Sequence, residues 1–326
     1  MTALSRRALP SLAWLGLATP ALATRPPLRV MLTFARAEDG GPLLQAIGRA
    51  AGQELGRPVE IESVTGGAGL EAGVALLAAP AHGDTLLVST SALFTGLPGV
   101  ALPFRPREDF QPITRIGMSP LVGCVPASSP WQDAAAARAA LAADPGAVPL
   151  GTPGQGSLSH QCLIRIWREL TAGPMPAPRH YEAGGNVLML ALARGEVGFA
   201  LLPAAAAVPG IQQGRLRPLF VTSGHRAVWT RELERVPTLA ELRPDFRLEV
   251  MEWWGIVARA GLPAGDAARL NAAFGRALEA LPIRNGMLAN GVLPNPDPTP
   301  EDFARFWDAE LPLRQAFIAQ LDLQGN

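Results

Sequence analysis

Strand-like and helix-like segments alternate along this chain, and that alternation limits the fold more than any other feature of the sequence. LRVMLTF from Leu28, VEIESV from Val59 and TLLVST from Thr85 are typical of strands, and the segments between them carry apolar residues at helical spacing. Parallel strands need such crossover helices. The pattern therefore predicts an α/β fold, in which helices cover both faces of a mostly parallel sheet and ligands bind at the carboxyl ends of the strands.

A second unit of alternating strands and helices follows a proline-rich connection that ends at Ile113. It begins with the strand-like SPLVGCVPASS from Ser119 and ends with LRPLFVTS at Ser223. The C-terminal helical segments then return to the first unit. We therefore predict two lobes, the first formed by residues 24–121 and 224–326 and the second by residues 122–223.

One loop of the second unit is suited to an anion. Residues Leu150–His160, LGTPGQGSLSH, join a strand end to a helix start through a turn rich in Gly and Pro. The first N–H groups of a helix have no partner within it, and the positive end of the helix dipole adds to their attraction for a carboxylate or phosphate. This predicts a ligand-binding loop at Gly154–Ser157. An ordinary N-cap by Ser157 after a tight turn is the alternative, and it stays open.

Residues 1–23 have the pattern of an export signal. Arg6 and Arg7 precede an apolar run, and Ala21-Leu22-Ala23 is a small-x-small cleavage pattern, so we expect a mature chain beginning at Thr24 and a periplasmic location. SRRAL also resembles a twin-arginine signal, although Leu replaces the usual Phe, and export through the general pathway stays open.

The charge balance argues against a nucleic-acid partner. All 28 basic residues are arginines, and without the predicted signal the chain carries 26 basic and 28 acidic residues. Nucleic-acid binding needs a basic face, which this balance does not supply. Two cysteines, Cys124 and Cys162, and four histidines are too few and too scattered to predict a metal site. The cysteines form either a disulfide or two buried thiols.

Nine short segments, in this order along the chain, carry a resemblance to a known family: LGRPVEIE, GDTLLVST, LPFRPREDFQPIT, GTPGQGSLSH, GRLRPLFVTSGHR, VPTLAEL, EWWGIVARAGLP, LNAAF and TPEDFARF. The chain resembles the Bug-type extracytoplasmic solute receptors of tripartite tricarboxylate transporters from Leu28 to Trp307. The resemblance implies the two-lobe fold of type II-like periplasmic binding proteins, with a two-strand hinge near Ser119–Gly123 and Val221–Ser223. It also implies a small organic acid in the cleft between the lobes and membrane transporter subunits as partners.

The first loop departs from the family pattern. Thr33–Gly41 read TFARAEDGG where the family reads close to PFPPGGGTD, so Glu38 and Asp39 stand where glycines are usual. Likewise Leu70 and Leu202 replace a polar Asn and Asp of the family. Two carboxylates beside an anion site would repel an acid by roughly a few kcal/mol. Either the ligand carries a positive group such as an amine besides its carboxylate, or the cleft no longer serves transport.

The residues that we expect to contact this ligand lie in the loops at the strand ends: Phe34, Ala35, Arg36, Asp39, Ser89, Ser91, Thr152, Gly154, Gly156, Ser157, Tyr181 and Gly184. Tyr181 either donates a hydrogen bond to the ligand or caps the lobe. Trp253 and Trp254 are adjacent in a strand-like segment and face opposite sides of it, which predicts one in the core and one at the cleft.

Two patterns resemble enzyme motifs, but each lacks a feature that the motif requires. Ser159 and His160 are adjacent on a helix and point about 100° apart, so they do not predict a nucleophile beside its base. Gly67–Ala72 has the shape of a dinucleotide fingerprint, but the next strand ends without the acidic residue that would bind a ribose. We expect no enzyme activity, no cofactor and a monomer. A ligand-binding module that serves a sensor protein is the alternative to a transport receptor.

Overall fold

The computed structural model describes residues 26–34, 41–96, 101–171, 175–182, 184–246 and 248–321. The predicted export signal, residues 1–23, lies outside these ranges. The strands within the ranges are β1 Leu28–Leu32, β2 Val59–Ser63, β3 Thr85–Thr90, β4 Phe110–Pro126, β5 Leu150–Thr152, β6 Arg179–His180, β7 Phe199–Pro203, β8 Leu216–Val221, β9 Met251–Arg259 and β10 Leu293–Pro294.

The helices connect these strands and cover the sheet. Within the described ranges they are α1 Gly41–Leu55, α2 Leu70–Ala78, α3 Ser91–Thr95, α4 Pro106–Asp109, α5 Ala134–Ala143, α6 Leu158–Leu170, α7 Gly185–Ala193, α8 Ala204–Gln212, α9 Leu239–Leu242, α10 Ala264–Glu279, α11 Leu281–Ala289 and α12 Pro300–Ala319. None of these described helices is both long enough and apolar enough to cross a membrane.

The strands form a mixed sheet in the order β2-β1-β3-β9-β4-β7-β5-β6, and β8 and β10 also pair with β4. Strands β1, β2 and β3 are parallel, as are β5, β6 and β7. Strands β4 and β9 run antiparallel to their neighbours. The α/β fold class is confirmed, and the antiparallel pairs lie where the two halves of the sheet meet.

Burial on both faces of β1 shows how the sheet is covered. Leu28, Val30 and Leu32 point into a core that helices α1 and α10 complete, whereas Met31 points into a second core with Trp253 on the opposite face. Successive side chains of a strand point to opposite faces, so an almost continuous apolar run lets both faces pack against helices.

Strand β4 belongs to both halves of the sheet. Its residues up to Pro120 pair with β9, and those from Leu121 onward pair with β7 and β8. The register shifts between Pro112 and Thr114, which is how a proline without an N–H fits into a strand. The pairing therefore changes within Ser119–Gly123, the segment in which the sequence predicts a hinge.

The segment after Ser223 packs mainly on the second half. Leu239, Phe246 and Leu248 lie in the same core as Trp167 and Leu201. The chain crosses back only near Val250, whose N–H donates to the carbonyl of Thr222 at 2.9 Å. This segment thus packs against the core of the second half, and the Thr230 hydroxyl also donates to the carbonyl of Leu288 in α11. The lobe ranges and the hinge stay predictions.

The two cysteines are separate buried thiols. Cys124 and Cys162 are both fully buried and unpaired, and they lie in different cores. Burial raises the pKa of the Cys162 thiol to about 12 and that of the Cys124 thiol even further above its ordinary value. Of the two alternatives that the sequence left open, the structure shows the thiols.

Candidate functional site

A cavity of about 390 Å³ opens between the two halves of the sheet. Its walls come from the carboxyl ends of parallel strands and the residues just after them, including Phe34 after β1, Thr90 at the end of β3, Gly154 after β5 and Pro203 at the end of β7. Ligands on α/β sheets bind at such strand ends. The cavity is the candidate binding site for a small molecule.

Four of the predicted contact residues line this cavity: Phe34, Gly154, Ser157 and Gly184. The others that the structure describes lie behind or beside the lining: Ser89, Ser91, Thr152, Gly156 and Tyr181. Ala35, Arg36 and Asp39 lie outside the described residues, as does Glu38. The ligand-binding roles of all twelve residues stay predictions.

The residues behind the lining hold it in place. Ser89 is fully buried, and its hydroxyl shares a hydrogen bond of 3.2 Å with that of Thr33 in the cavity wall. Tyr181 packs against the core formed around β7 and α7. Of the two roles considered for this tyrosine, the packing favours the cap on the lobe.

Two glycines shape the turn in the loop that the sequence predicts to bind an anion. Gly154 and Gly156 have φ angles of +152° and +76°, which side-chain-bearing residues rarely adopt. The Ser157 hydroxyl accepts the N–H of His160 at 3.2 Å and donates to the carbonyl of Gly154 at 2.8 Å. Ser157 is therefore both the N-cap of α6 and part of the cavity wall, so the two alternatives for this residue are compatible.

Several amides of this loop already have partners within the chain. The N–H of Gln155 donates to Oε1 of Glu182 at 3.1 Å, and the N–H of Gly156 donates to Nδ1 of His160 at 3.1 Å. The N–H of Ser157 donates to the carbonyl of Gly154 at 3.3 Å. The loop is thus a closed hydrogen-bonded turn, and a bound acid would have to use the start of α6 or displace one of these contacts.

His160 is held by contacts within the predicted second lobe. Its ring lies edge-on to that of His180, with 4.9 Å between centroids, and its Nδ1 accepts the Gly156 amide. Burial, with a smaller contribution from His180, lowers the pKa of His160 to about 4. Burial also lowers the pKa of His180, against the opposing effect of Glu182. A neutral imidazole keeps the lone pair that the Gly156 amide needs.

We expect the protein to lose stability as the pH falls from about 6.5 to about 4, because His160 in the unfolded chain takes up a proton before the folded chain does. Below about pH 4 the folded and the unfolded chain both carry this proton, so His160 causes no further loss of stability. Allowing for partial exposure of the ring, we expect the free energy of unfolding to fall by roughly 1–2 kcal/mol over the range from about pH 6.5 to about pH 4. Urea unfolding at pH 7.5, 6, 5 and 4 measures it.

His160→Asn should flatten this pH slope, since the amide oxygen can accept the Gly156 N–H and does not titrate. His225→Gln, at an exposed histidine, is the matched control and should retain the slope. An unchanged slope in His160→Asn would assign the acid sensitivity to other groups.

Other cavity-lining residues escaped the sequence analysis. Glu182 and Glu252 bring carboxylates into the wall from different halves of the sheet, and Met287 and Asn290 come from α11 and its end. Glu182 adjoins the predicted Tyr181, so its position after a strand was the available signal. The α11 residues left no such signal, because their segment is far along the chain from the loops predicted to bind the ligand.

Trp253 and Trp254 divide as the alternation of a strand predicts. Trp253 is fully buried and stacks on Phe94, with 5.3 Å between ring centroids, whereas Trp254 lines the cavity. That prediction is confirmed. Among the described residues no group of three or more His, Cys, Asp or Glu side chains could hold a metal ion.

Comparison with known proteins now decides the family. Residues 44–323 match the family described as "Tripartite tricarboxylate transporter family receptor". This chain belongs to that receptor family. BugT of Bordetella pertussis is 27% identical to it over 294 residues, which cover 87% of this chain and 88% of BugT.

Solved structures show the same fold. MatC from Rhodopseudomonas palustris, with bound malate, has a TM-score of 0.78 at 24% identity, and the match covers 90% of this chain and 98% of MatC. A second R. palustris protein, with adipate, has a TM-score of 0.82 at 23% identity and covers 90% and 96%. The receptor thus has the two-lobe α/β fold of periplasmic binding proteins, and its family and fold are those of solute-binding receptors.

Proposed function

We propose that the protein is a periplasmic receptor that binds a small organic acid in its cleft and delivers it to the membrane subunits of a tripartite tricarboxylate transporter. The observation that carries this proposal is the cavity between the two halves of the sheet, lined by strand ends from both, in a chain of this receptor family. The leader-like residues 1–23 support export.

Closure around the ligand would bend the chain where the two halves join. The pairing of β4 changes between Pro120 and Leu121. Beside it, the Thr222 hydroxyl accepts the N–H of Leu121 at 3.0 Å and donates to the carbonyl of Val250 at 2.7 Å. These crossings lie side by side, so a small rotation there would bring the cavity walls together. A ligand that contacts both walls favours the closed form.

The ligand we propose is a small acid that also carries an amine. The start of α6 at Ser157 faces the cavity, and a helix N-terminus favours an acid group. Malate and adipate are bound by the R. palustris proteins of the same fold. Glu182 in the wall, together with Glu38 and Asp39 in the loop sequence Thr33–Gly41, favours a positive group on the ligand.

A thermal-shift screen of the exported protein tests this function. We expect an amine-bearing acid at about 100 times its Kd to add roughly 2.7 kcal/mol to the free energy of unfolding, which is about 4 °C for a chain of this length. The panel holds dicarboxylates, tricarboxylates, aromatic acids, amino acids and betaines. A folded protein that none of them stabilises would contradict the proposal.

A further inference from the structure

Glu182 lies over the loop that the sequence predicts to bind an anion. Pairing between β5 and β6 continues one residue further, since the N–H of Tyr181 donates to the carbonyl of Thr152 at 2.9 Å. This contact carries Glu182 alongside the loop that follows β5. There its Oε1 accepts the Gln155 N–H at 3.1 Å. A Cβ on Gly154 would lie only 3.3 Å from Oε2, so the carboxylate rests against the glycine backbone.

The chain's own carboxylate thus takes a place that a ligand's acid group could otherwise occupy. An acid that approached the Gln155 amide would have to displace Glu182 and then remain beside its negative charge, which like charges disfavour. An ammonium group would instead be attracted by the negative charge of Glu182. Glu182 lines the cavity near Ser157 and Gly184, and Gln155 fixes one end of its carboxylate in advance.

We propose that Glu182 is a specificity-determining residue that binds the amine of the ligand, which rests on the proposed function of the cleft. The same loop supplies both contacts. The start of α6 is available to the acid group of the ligand. The Gln155 amide, two residues before Ser157, orients Glu182 for the amine. This placement suits a ligand whose amine is close to its acid group. Charge-assisted hydrogen bonds are about twice as strong as neutral ones, so removing the charge changes the preference.

Matched ligand pairs and the variant Glu182→Gln test this role. The probes are aspartate with succinate and glutamate with glutarate, which differ only by the amine, titrated calorimetrically into the purified exported protein. Gln keeps an acceptor for the Gln155 N–H and removes the negative charge. We expect the wild type to bind the amine-bearing member of a pair at least about tenfold more tightly, and Glu182→Gln to reduce that ratio to about threefold or less. Glu60→Gln, on the exposed face of edge strand β2, is the matched control and should keep the wild-type ratio.

The outcomes separate this inference from the function on which it rests. If the protein binds members of these pairs but the amine makes no difference, or Glu182→Gln keeps the wild-type ratio, the role of Glu182 is overturned and the receptor function stands. If the folded wild type binds none of these probes and no acid of the wider panel, both are overturned. A lowered ratio in Glu182→Gln with an unchanged ratio in Glu60→Gln supports both.

Discussion

Asp297→Ala should lower the free energy of unfolding by about 3–5 kcal/mol, because it leaves the charge of Arg115 without its partner at a largely buried site. The Asp297 side chain is 2% exposed and that of Arg115 is 12% exposed. Arg115 donates to the carboxylate through Nη2 at 2.6 Å, through Nε at 3.0 Å and through its backbone N–H at 2.9 Å. The guanidinium also lies over the ring of Phe306, 3.8 Å from its centroid.

The same contacts fasten the segment before α12 to β4. The backbone N–H of Asp297 donates to the Thr114 hydroxyl at 3.0 Å, and Asn271 bridges the carbonyls of Ile113 and Asp297. Asp308→Ala is the matched control, since its ion pair with Arg107 is largely exposed and should contribute less than about 1 kcal/mol. Chemical denaturation measures both variants. If both variants lose the same free energy of unfolding, burial of the Asp297–Arg115 pair does not determine how much this pair contributes to stability.

Trp307→Ala should cost about 3–5 kcal/mol through the cavity that it leaves. The side chain is fully buried in α12, between Phe94 at 4.8 Å and Phe303 at 5.9 Å between ring centroids, and its indole N–H donates to the carbonyl of Phe94 at 3.0 Å. These contacts attach α12 to α3 and the first half of the sheet.

Two variants separate the parts of this effect. Trp307→Phe keeps most of the ring and loses the hydrogen bond, so we expect a smaller loss of about 1–2 kcal/mol. Leu313→Ala on the same helix, at a side chain that is 65% exposed, should change stability by less than about 0.5 kcal/mol. Urea denaturation compares all three. A Trp307→Ala loss no larger than that of Leu313→Ala would mean that α12 contributes little to the first half.

The alternation of apolar segments was enough to predict much of the fold. The segments starting at Leu28, Val59 and Thr85 are strands because their apolar residues suit a sheet buried on both faces. Strand β4 begins earlier than predicted, at Phe110, since Pro112 resembles a strand breaker until a register shift accommodates it. Helix α11 was not predicted. Its Asn285 and Gly286 disfavour a helix, and packing against α1 and α10 overrides that preference.

The candidate site, too, was only partly predictable from the sequence. Gly154 and Ser157 were predictable because a turn with positive φ angles and an N-cap leave a local signature. The occupation of the Gln155 amide by Glu182 was not, since it depends on β6 pairing with β5 across a connection of more than twenty residues. Local rules thus predict the shape of the loop, and only tertiary pairing shows which of its amides are engaged.

Strand β9 separates β3 from β4, although those two strands follow each other in the chain. A polypeptide that emerges from its N-terminus therefore presents β3 and β4 with unpaired edges until Met251–Arg259 is available to fill the space between them. Such edges are templates for pairing with other chains. During the proposed export, the first half of this protein would consequently stay vulnerable to aggregation until β9, which ends at residue 259 of 326, has crossed, and holding factors would be needed most over that interval.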